Sequence, residues 1–183
     1  MAVWSVTISS SATDTLGRAL DPSATQVLRR IVEATSCARG GHCRPSGTST
    51  GRWVCPGCAA HWSTAATPGR AMVSRSDIPC GIDVEWASRH RPAAFRAAGR
   101  WCGTPVRSAR QWTQAEAIWK AARPAPRLGS DLIPIPTSTG EGWQLSADSS
   151  WWVYSPAVDG DFVWTVAVAR QTPRRASGGR PSC

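Results

Sequence analysis

Hydrophobic and polar residues alternate along several short segments of the chain, a pattern typical of half-buried strands. The alternation predicts strands over residues 3–9, 70–74, 80–86, 143–145, 151–154 and 162–169. Residues 53–62 are also strand-like, on both sides of a Pro56-Gly57 turn. Asp159-Gly160 predicts a hairpin turn before the last strand. The chain is therefore expected to contain mainly short strands.

Three segments have apolar residues at helical spacing, and they predict helices that begin at Asp21 or Ser23, at Arg91 and at Thr113. In the third, residues 113–122, Thr113 is a natural N-cap and Glu116 occupies the capping-box position. Residues 37–51 and 123–141 are expected to be loops, and residues 171–183 a disordered basic tail. Because strands and helices do not alternate strictly, the pattern favours an α+β fold with antiparallel sheets.

The size of the chain, 183 residues, fits one domain or two small halves folded as a unit. With 42% hydrophobic and 18% charged residues, the composition is that of a globular protein. No apolar run approaches the ~20 residues of a transmembrane helix. The first residues lack a basic segment followed by an apolar one, so secretion is not expected and a cytoplasmic location is.

The chain is strongly basic, with a net charge of +9 from 21 basic and 12 acidic residues. Lys120 is its single lysine, and the other basic residues are arginines. An arginine-rich surface attracts polyanions such as nucleic acids, phosphate-bearing cofactors or acidic proteins. Charge alone does not choose among them.

Seven cysteines are present, at positions 37, 43, 55, 58, 80, 102 and 183. Their odd number and irregular spacing indicate reduced thiols rather than a disulfide framework. Residues 55–58 form a C-x-x-C turn, and Cys37, His42 and Cys43 lie upstream of it. This set could supply the four ligands of a structural zinc site. The alternative is a group of small buried thiols around a Pro-Gly turn.

Two further segments, GIDVEW at residues 81–86 and WTQAEAIWKA at residues 112–121, carry the clustered acids of the chain. Asp83 and Glu85 project from the same face of a strand, where a divalent cation would relieve their repulsion. Glu116 and Lys120 lie one helical turn apart. Taken separately, these pairs also fit an exposed strand face and a solvated helix pair.

Taken together and in this order, the two segments resemble the signature of the 4′-phosphopantetheinyl transferase superfamily. That signature is a G-[IV]-D-x-E strand followed by an [FW]-[ST]-x-x-E-[AS]-x-x-K helix. Weaker similarity extends over residues 25–170: LRR at 28–30, GHCRP at 41–45, AHWS at 60–63 and the closing strand at 162–169. The chain is similar to the monomeric, pseudo-twofold type, with a shortened N-terminal half.

The resemblance implies two halves, each a small antiparallel sheet packed with a helix, at residues 1–75 and 76–170, followed by the tail. It implies a magnesium-dependent transfer of phosphopantetheine from coenzyme A to a serine of an apo acyl or peptidyl carrier protein, with 3′,5′-adenosine bisphosphate released. The implied roles are metal binding by Asp83, Glu85 and Glu116, catalysis by Glu116 and Lys120, and phosphate contacts by His61, Arg44, Arg29 and Arg30.

Two other functions remain open from the sequence. A recruited enzyme of the same fold would catalyse a different reaction in specialised metabolism. A zinc-knuckle protein would use its arginines and tryptophans to bind nucleic acid, although the resemblance makes nucleic acid an unexpected partner. No membrane partner is expected, and the sequence does not determine the oligomeric state.

Overall fold

The computed structural model describes residues 1–7, 31, 34–35, 37, 40–47, 52–88, 92–122, 132–138 and 140–171. Within them the chain forms nine strands in two antiparallel sheets, together with two helices, which confirms the α+β class. The strands are β1 (Ala2–Thr7), β2 (Ser46–Gly47), β3 (Arg52–Val54), β4 (His61–Thr67), β5 (Arg70–Ser76), β6 (Cys80–Trp86), β7 (Gly142–Leu145), β8 (Trp151–Ser155) and β9 (Phe162–Ala169). The helices are α1 (Pro92–Cys102) and α2 (Ala109–Ala121).

The first sheet has the strand order β1-β5-β4-β3-β2. Its centre is the β4–β5 hairpin, which turns at Pro68-Gly69 and pairs Thr67 with Arg70. Gly69 has a φ of +88°, a conformation that favours glycine. The core beside this sheet contains Trp62, Ala71 and Val73, and three cysteines complete much of the rest of it. The first sheet thus has a small apolar core.

The second sheet has the order β6-β9-β8-β7, so the first and last strands of this part of the chain are neighbours. Strand β6 pairs with β9 in a register that sets Asp83 opposite Thr165. The turn before β9 is closed by two backbone hydrogen bonds between Asp159 and Phe162, with Gly160 at a φ of +59°. The hairpin turn expected at Asp159-Gly160 is confirmed.

Helix α2 packs on one face of the second sheet, against β6, β9 and β8. The core between them is made of small and branched side chains, including Ala117, Ile118, Val153 and Ala167. Small residues let the helix axis approach the sheet closely. The opposite face of β6 packs Ile82 and Val84 against Ala65 and Met72 of the first sheet.

The two sheets meet where β4 runs beside β6. The Ile82 N–H donates to Ser63 Oγ at 3.1 Å, and Cys80 Sγ donates to the His61 carbonyl at 3.5 Å. At this seam the fully buried side chain of Ser63, rather than a ladder of backbone hydrogen bonds, joins the two sheets. The second sheet is therefore fixed relative to the first.

Most strand predictions agree with the structure, and those for β6 and β9 agree at both ends. The expected helix from Asp21 or Ser23 lies outside the described residues except for the helical Ile31, and all of the expected tail but Gln171 also lies outside them. The first sheet ends at Ser76 and the second begins at Cys80. The division of the chain at 75/76 stays a prediction.

In the described part of the chain, neither helix has the length and apolarity needed to cross a bilayer.

Candidate functional site

The acidic segment of β6 lies directly under helix α2. Gly81, Asp83 and Glu85 alternate along the strand and so face the helix together. A Cβ added to Gly81 would lie 2.0 Å from the Ala117 carbonyl oxygen, far inside any allowed contact. Glycine at this position lets the helix backbone touch the strand, and this contact brings the helix residues over the strand carboxylates.

Lys120 is held by β6. Its Nζ donates to Asp83 Oδ1 at 2.8 Å and to the Ile82 carbonyl at 3.1 Å. The Lys120 and Asp83 side chains are 12% and 11% exposed, so this is a largely buried ion pair. The solvated surface pair that the sequence left open for Lys120 is therefore excluded. The structure thus brings Lys120 of the helix onto Asp83 of the strand, and the binding of one ion by Asp83, Glu85 and Glu116 stays a prediction.

Glu116 lies half-buried one turn before Lys120 on α2. Burial raises the pKa of Glu116 to about 7, and the carboxylates of Asp83 and Glu85 add to the rise while Lys120 opposes it. Burial likewise raises the pKa of Asp83 against the opposing charge of Lys120. Asp83, Glu85 and Lys120 are thus near enough to Glu116 to affect its pKa, and Lys120 pairs with Asp83.

The chemistry of this group fits a hard divalent cation. Asp83 Oδ2 is buried and has no hydrogen-bond partner among the described residues. Carboxylate oxygens are the ligands that Mg²⁺ prefers, and a cation would offset the repulsion felt by Glu116. The three carboxylates do not form a cluster as close as the cysteines described below, so ion binding requires Glu85 and Glu116 to turn toward Asp83.

The start of helix α2 differs from the prediction. The helix begins at Ala109, and its N-cap is Ser108, whose hydroxyl accepts from the Gln111 N–H at 3.2 Å. Thr113 is an interior residue with no exposure, so its expected N-cap role is wrong, and Glu116 is not a capping-box acid. The prediction failed because Ser108 and Gln111 form an equally good cap one turn earlier. Glu116 is left facing the acidic strand.

A buried hydroxyl network lies behind the carboxylates, and the sequence reasoning missed it. Thr113 Oγ1 and Thr165 Oγ1 are 2.8 Å apart, Thr165 Oγ1 and Ser155 Oγ are 3.0 Å apart, and Gln114 Nε2 donates to Ser155 Oγ at 3.3 Å. Thr165 is the cross-strand partner of Asp83. The signal was the pair of polar residues, Thr113 and Gln114, on the apolar side of the helix.

The residues expected to contact phosphates are distributed over the first half of the chain. His61 begins β4, and its carbonyl accepts from Cys80 three residues before Asp83. Arg44 is exposed and follows Cys43 directly. Arg29 and Arg30 lie outside the described residues. Their phosphate contacts stay predictions.

Cys37, Cys43, Cys55 and Cys58 come together beside the first sheet. Their four sulfur atoms all lie within 4.8 Å of one another. In the described part of the chain, this is the one group of three or more His, Cys, Asp or Glu side chains close enough to hold a metal ion as it stands. The sequence offered both His42 and Cys43 as candidates for the fourth ligand. His42 is exposed, and Cys43 is the one that belongs to the cluster.

Comparison with family models and with curated proteins finds no match to this chain.

Proposed function

We propose that this chain is a phosphopantetheinyl transferase that moves phosphopantetheine from coenzyme A to a serine of a carrier protein. The proposal rests on one observation: the two signature segments contact each other, with Lys120 paired to Asp83 and Glu116 nearby. The finer fold belongs to the same proposal: two halves related by an approximate twofold. It is supported by two antiparallel sheets joined at the β4–β6 seam.

Asp83, Glu85 and Glu116 would hold a magnesium ion. When bound, the ion supplies positive charge to the diphosphate of coenzyme A, on which negative charge builds up during transfer. Asp83 is the anchor of this set, because its Oδ2 is buried and unpartnered and its Oδ1 is fixed by Lys120. The charge of Lys120 opposes the rise that burial causes in the pKa of Asp83.

Glu116 is the general base of the proposed reaction. In the absence of a bound ion, burial raises the pKa of Glu116 to about 7, and a carboxylate at this position can accept the proton of a hydroxyl beside it. The serine oxygen forms a bond to the phosphorus attached to pantetheine as its proton passes to Glu116. The bond from that phosphorus to the bridging oxygen breaks, and 3′,5′-adenosine bisphosphate leaves with the electron pair.

Incubation of the protein with coenzyme A, MgCl₂ and several apo carrier proteins tests the proposal by mass spectrometry. We expect one carrier to gain the mass of a single phosphopantetheine arm, and Glu116→Gln to lower the rate at least about a hundredfold. Glu141→Gln is the matched control, since Glu141 is exposed and its ion pair with Arg110 is 3.7 Å long. The absence of a mass gain on every carrier would reject the proposal, and full activity of Glu116→Gln would reject the role of Glu116 as its general base.

A further inference from the structure

The four clustered cysteines have no part in the proposed transfer. Cys43 and Cys55 are each 1% exposed and Cys37 is 9% exposed, while Cys58 is partly buried. Cys37, Cys43 and Cys55 are three of the seven buried hydrophobic residues in the core beside the first sheet, and Cys58 packs against them. Three thiols bury less apolar surface than the larger side chains of a normal core, so a bound ion would add stability to this one.

The spacing of the sulfur atoms fits one tetrahedral ion. Cys37 Sγ and Cys55 Sγ are 3.9 Å apart, and Cys43 Sγ and Cys58 Sγ are 3.7 Å apart. Four sulfurs at the zinc–thiolate distance of about 2.3 Å stand about 3.8 Å from one another at the corners of a tetrahedron. A disulfide requires about 2.05 Å instead. The observed pairs match the edges of a tetrathiolate site and are too long for covalent pairs.

The turn that carries Cys55 and Cys58 is shaped around the sulfurs. The Ala59 N–H donates to the Cys55 carbonyl at 2.8 Å, and Ala59 has a φ of 56°, which is unusual for a residue with a side chain. Backbone N–H groups of Cys58, Arg44 and Gly57 lie near the Cys55 sulfur. N–H donors of this kind stabilise the thiolate form that binds metal.

Gly57 leaves room for the opposite sulfur. A Cβ at this position would lie 3.1 Å from Cys37 Sγ and 3.7 Å from Cys55 Sγ. The turn therefore passes close to both sulfurs, and a side chain at residue 57 would press on the cluster. This contact joins the turn to a loop that is distant in the sequence.

The loop that carries Cys37 and Cys43 is closed by its own hydrogen bonds. The Cys37 N–H donates to the Gly41 carbonyl at 2.8 Å, and the Gly40 N–H donates back to the Cys37 carbonyl at 2.9 Å. Gly40 and Gly41 have φ values of 91° and 70°, which glycine adopts without strain. These two glycines, in the left-handed conformation, reverse the chain and bring Cys43 back to Cys37. The sequence spacing of the two cysteines differs from that of the common zinc motifs.

We propose that Cys37, Cys43, Cys55 and Cys58 bind one structural Zn²⁺ ion that ties the loop before Arg44 to the β3–β4 turn. Four protein ligands leave no open position for water or substrate, so the ion is structural. Soft thiolates select zinc, whereas the carboxylates of the other site suit magnesium, so the two sites bind different metals. Binding releases to solvent the protons that the thiols still carry.

The site has a consequence for the loop of residues 41–45. Cys43 is a ligand, and the Arg44 N–H lies near the sulfur of a second ligand, Cys55. The ion therefore fixes the backbone from which the exposed Arg44 side chain extends. The zinc proposal does not depend on transferase activity, because it rests on the sulfur geometry alone.

Metal analysis of the full chain, purified under reducing conditions, tests the site. We expect one zinc per chain, and Co²⁺ exchanged into the site should give thiolate charge-transfer absorption and the intense visible bands of a tetrahedral ion. Cys58→Ser should lower the zinc content at least about fivefold. Cys102→Ala, which removes a buried thiol of the other core, should keep one zinc per chain.

A second measurement covers the case in which Cys58→Ser does not fold. A strong chelator added to the wild-type protein should lower its Tm, and Zn²⁺ but not Mg²⁺ should restore it. Wild-type protein that contains no zinc and gives no tetrahedral Co²⁺ spectrum would overturn the proposal. So would two disulfides among the four cysteines, or iron as the native metal.

Discussion

Glu116 is the residue at which the fold most changes ordinary side-chain chemistry. A solvated glutamate has a pKa of about 4.5, and in the folded protein the pKa of Glu116 is about 7 because the side chain is buried near Asp83 and Glu85. The folded state thus binds this proton more tightly than the unfolded chain does. The stability that the bound proton contributes is complete below about pH 4.5 and is lost as the pH rises through about 7.

The first prediction concerns the pH dependence of stability. The free energy of unfolding of the wild-type protein should decrease between pH 5 and pH 8, by up to about 3 kcal/mol from this residue. Glu116→Gln should remove most of that decrease and be the more stable protein at pH 8. Urea unfolding at both pH values without added Mg²⁺ measures this. Glu141→Gln, the exposed control, should behave as wild type, and an unchanged pH dependence in Glu116→Gln would contradict the assignment.

The Lys120–Asp83 pair leads to the second prediction. Lys120→Met keeps an apolar side chain of similar length but leaves a buried carboxylate without its counter-charge, which typically costs about 3–5 kcal/mol. Asp83→Asn together with Lys120→Met removes both charges and should recover most of the loss. Denaturant unfolding of the two single variants and the double variant gives the coupling energy directly.

An ion pair with one solvated partner provides the comparison for that cycle: the Glu141 side chain is 60% exposed, whereas that of Arg110 is 14% exposed. Arg110→Met breaks the 3.7 Å contact with the exposed Glu141 and should change the stability by less than about 1 kcal/mol. Equal losses for Arg110→Met and Lys120→Met would show that the Asp83 pair is solvated in solution. The burial of both partners, 11% and 12% exposed, is the physical basis of the expected difference.

At the level of elements, the contact between β6 and α2 decides whether a site exists. The third prediction is that Gly81→Ala lowers the free energy of unfolding by about 3 kcal/mol or more. Its Cβ would meet the Ala117 carbonyl oxygen at 2.0 Å and the Ala121 nitrogen at 2.7 Å, and neither backbone atom can move without shifting the helix. Thermal and denaturant unfolding measure the loss.

Gly99 supplies a matched control for this substitution. A Cβ there would lie 3.3 Å from the Thr104 carbonyl, and alanine improves helix propensity by about 1 kcal/mol, so Gly99→Ala should change stability little. If Gly81→Ala were equally harmless, the helix would not lie on the strand as the structure has it. Glycine opens the G-I-D-x-E segment because the helix that carries Glu116 and Lys120 lies directly on it.

The sequence predicted the strands better than it predicted the ends of the helices or the clusters of side chains that the fold brings together. Strands β6 and β9 were predictable at both ends because turn residues and alternation bound them clearly. The beginning of α2 was not, since Ser108 and Thr113 are both good caps and only packing against Thr165 decides between them. A local pattern cannot show which of two caps the tertiary structure buries.

The two candidate sites differ in the same way. The same-face placement of Asp83 and Glu85 follows from strand periodicity, and their approach to α2 was implied by the family resemblance. The C-x-x-C turn was visible in the sequence, whereas the pairing of Cys37 with Cys55 depends on the conformations of Gly40 and Gly41 in an irregular loop. No periodicity predicts such a loop.

At the scale of the whole molecule, the two sheets are joined through side chains rather than a continuous ladder. Ser63 Oγ receives the Ile82 N–H, and Ile82 packs with Met72 across the seam. The acidic site lies on the other face of β6, under α2, while His61 and the cysteine cluster belong to the first sheet. A ligand that contacts both His61 and Asp83 would therefore bridge the two sheets.

The fourth prediction concerns the charge of the whole protein and rests on the proposed function. A chain with a net charge of +9 attracts an acidic carrier protein over distances of about one Debye length, about 10 Å at 0.1 M salt. The value of kcat/KM for the carrier should fall about tenfold or more between about 0.05 and 0.5 M NaCl, and the change should lie in KM. Salt screens the attraction between the two proteins before they bind, but it leaves the buried Lys120–Asp83 pair in place. Steady-state kinetics at saturating coenzyme A measure the fall.

A kcat that falls with salt while KM stays constant would contradict this explanation, since it would place the salt effect in the chemical step. Binding of the nuclease-treated protein to single-stranded DNA and RNA supplies the comparison. If nucleic acid bound tightly with a steep salt dependence and the carrier did not, the arginines would serve the phosphate backbone of nucleic acid instead. If the positive charge serves the carrier, the carrier should bind and nucleic acid should not bind tightly. The net charge alone attracts any polyanion, whereas an acidic carrier must also place its serine at Glu116.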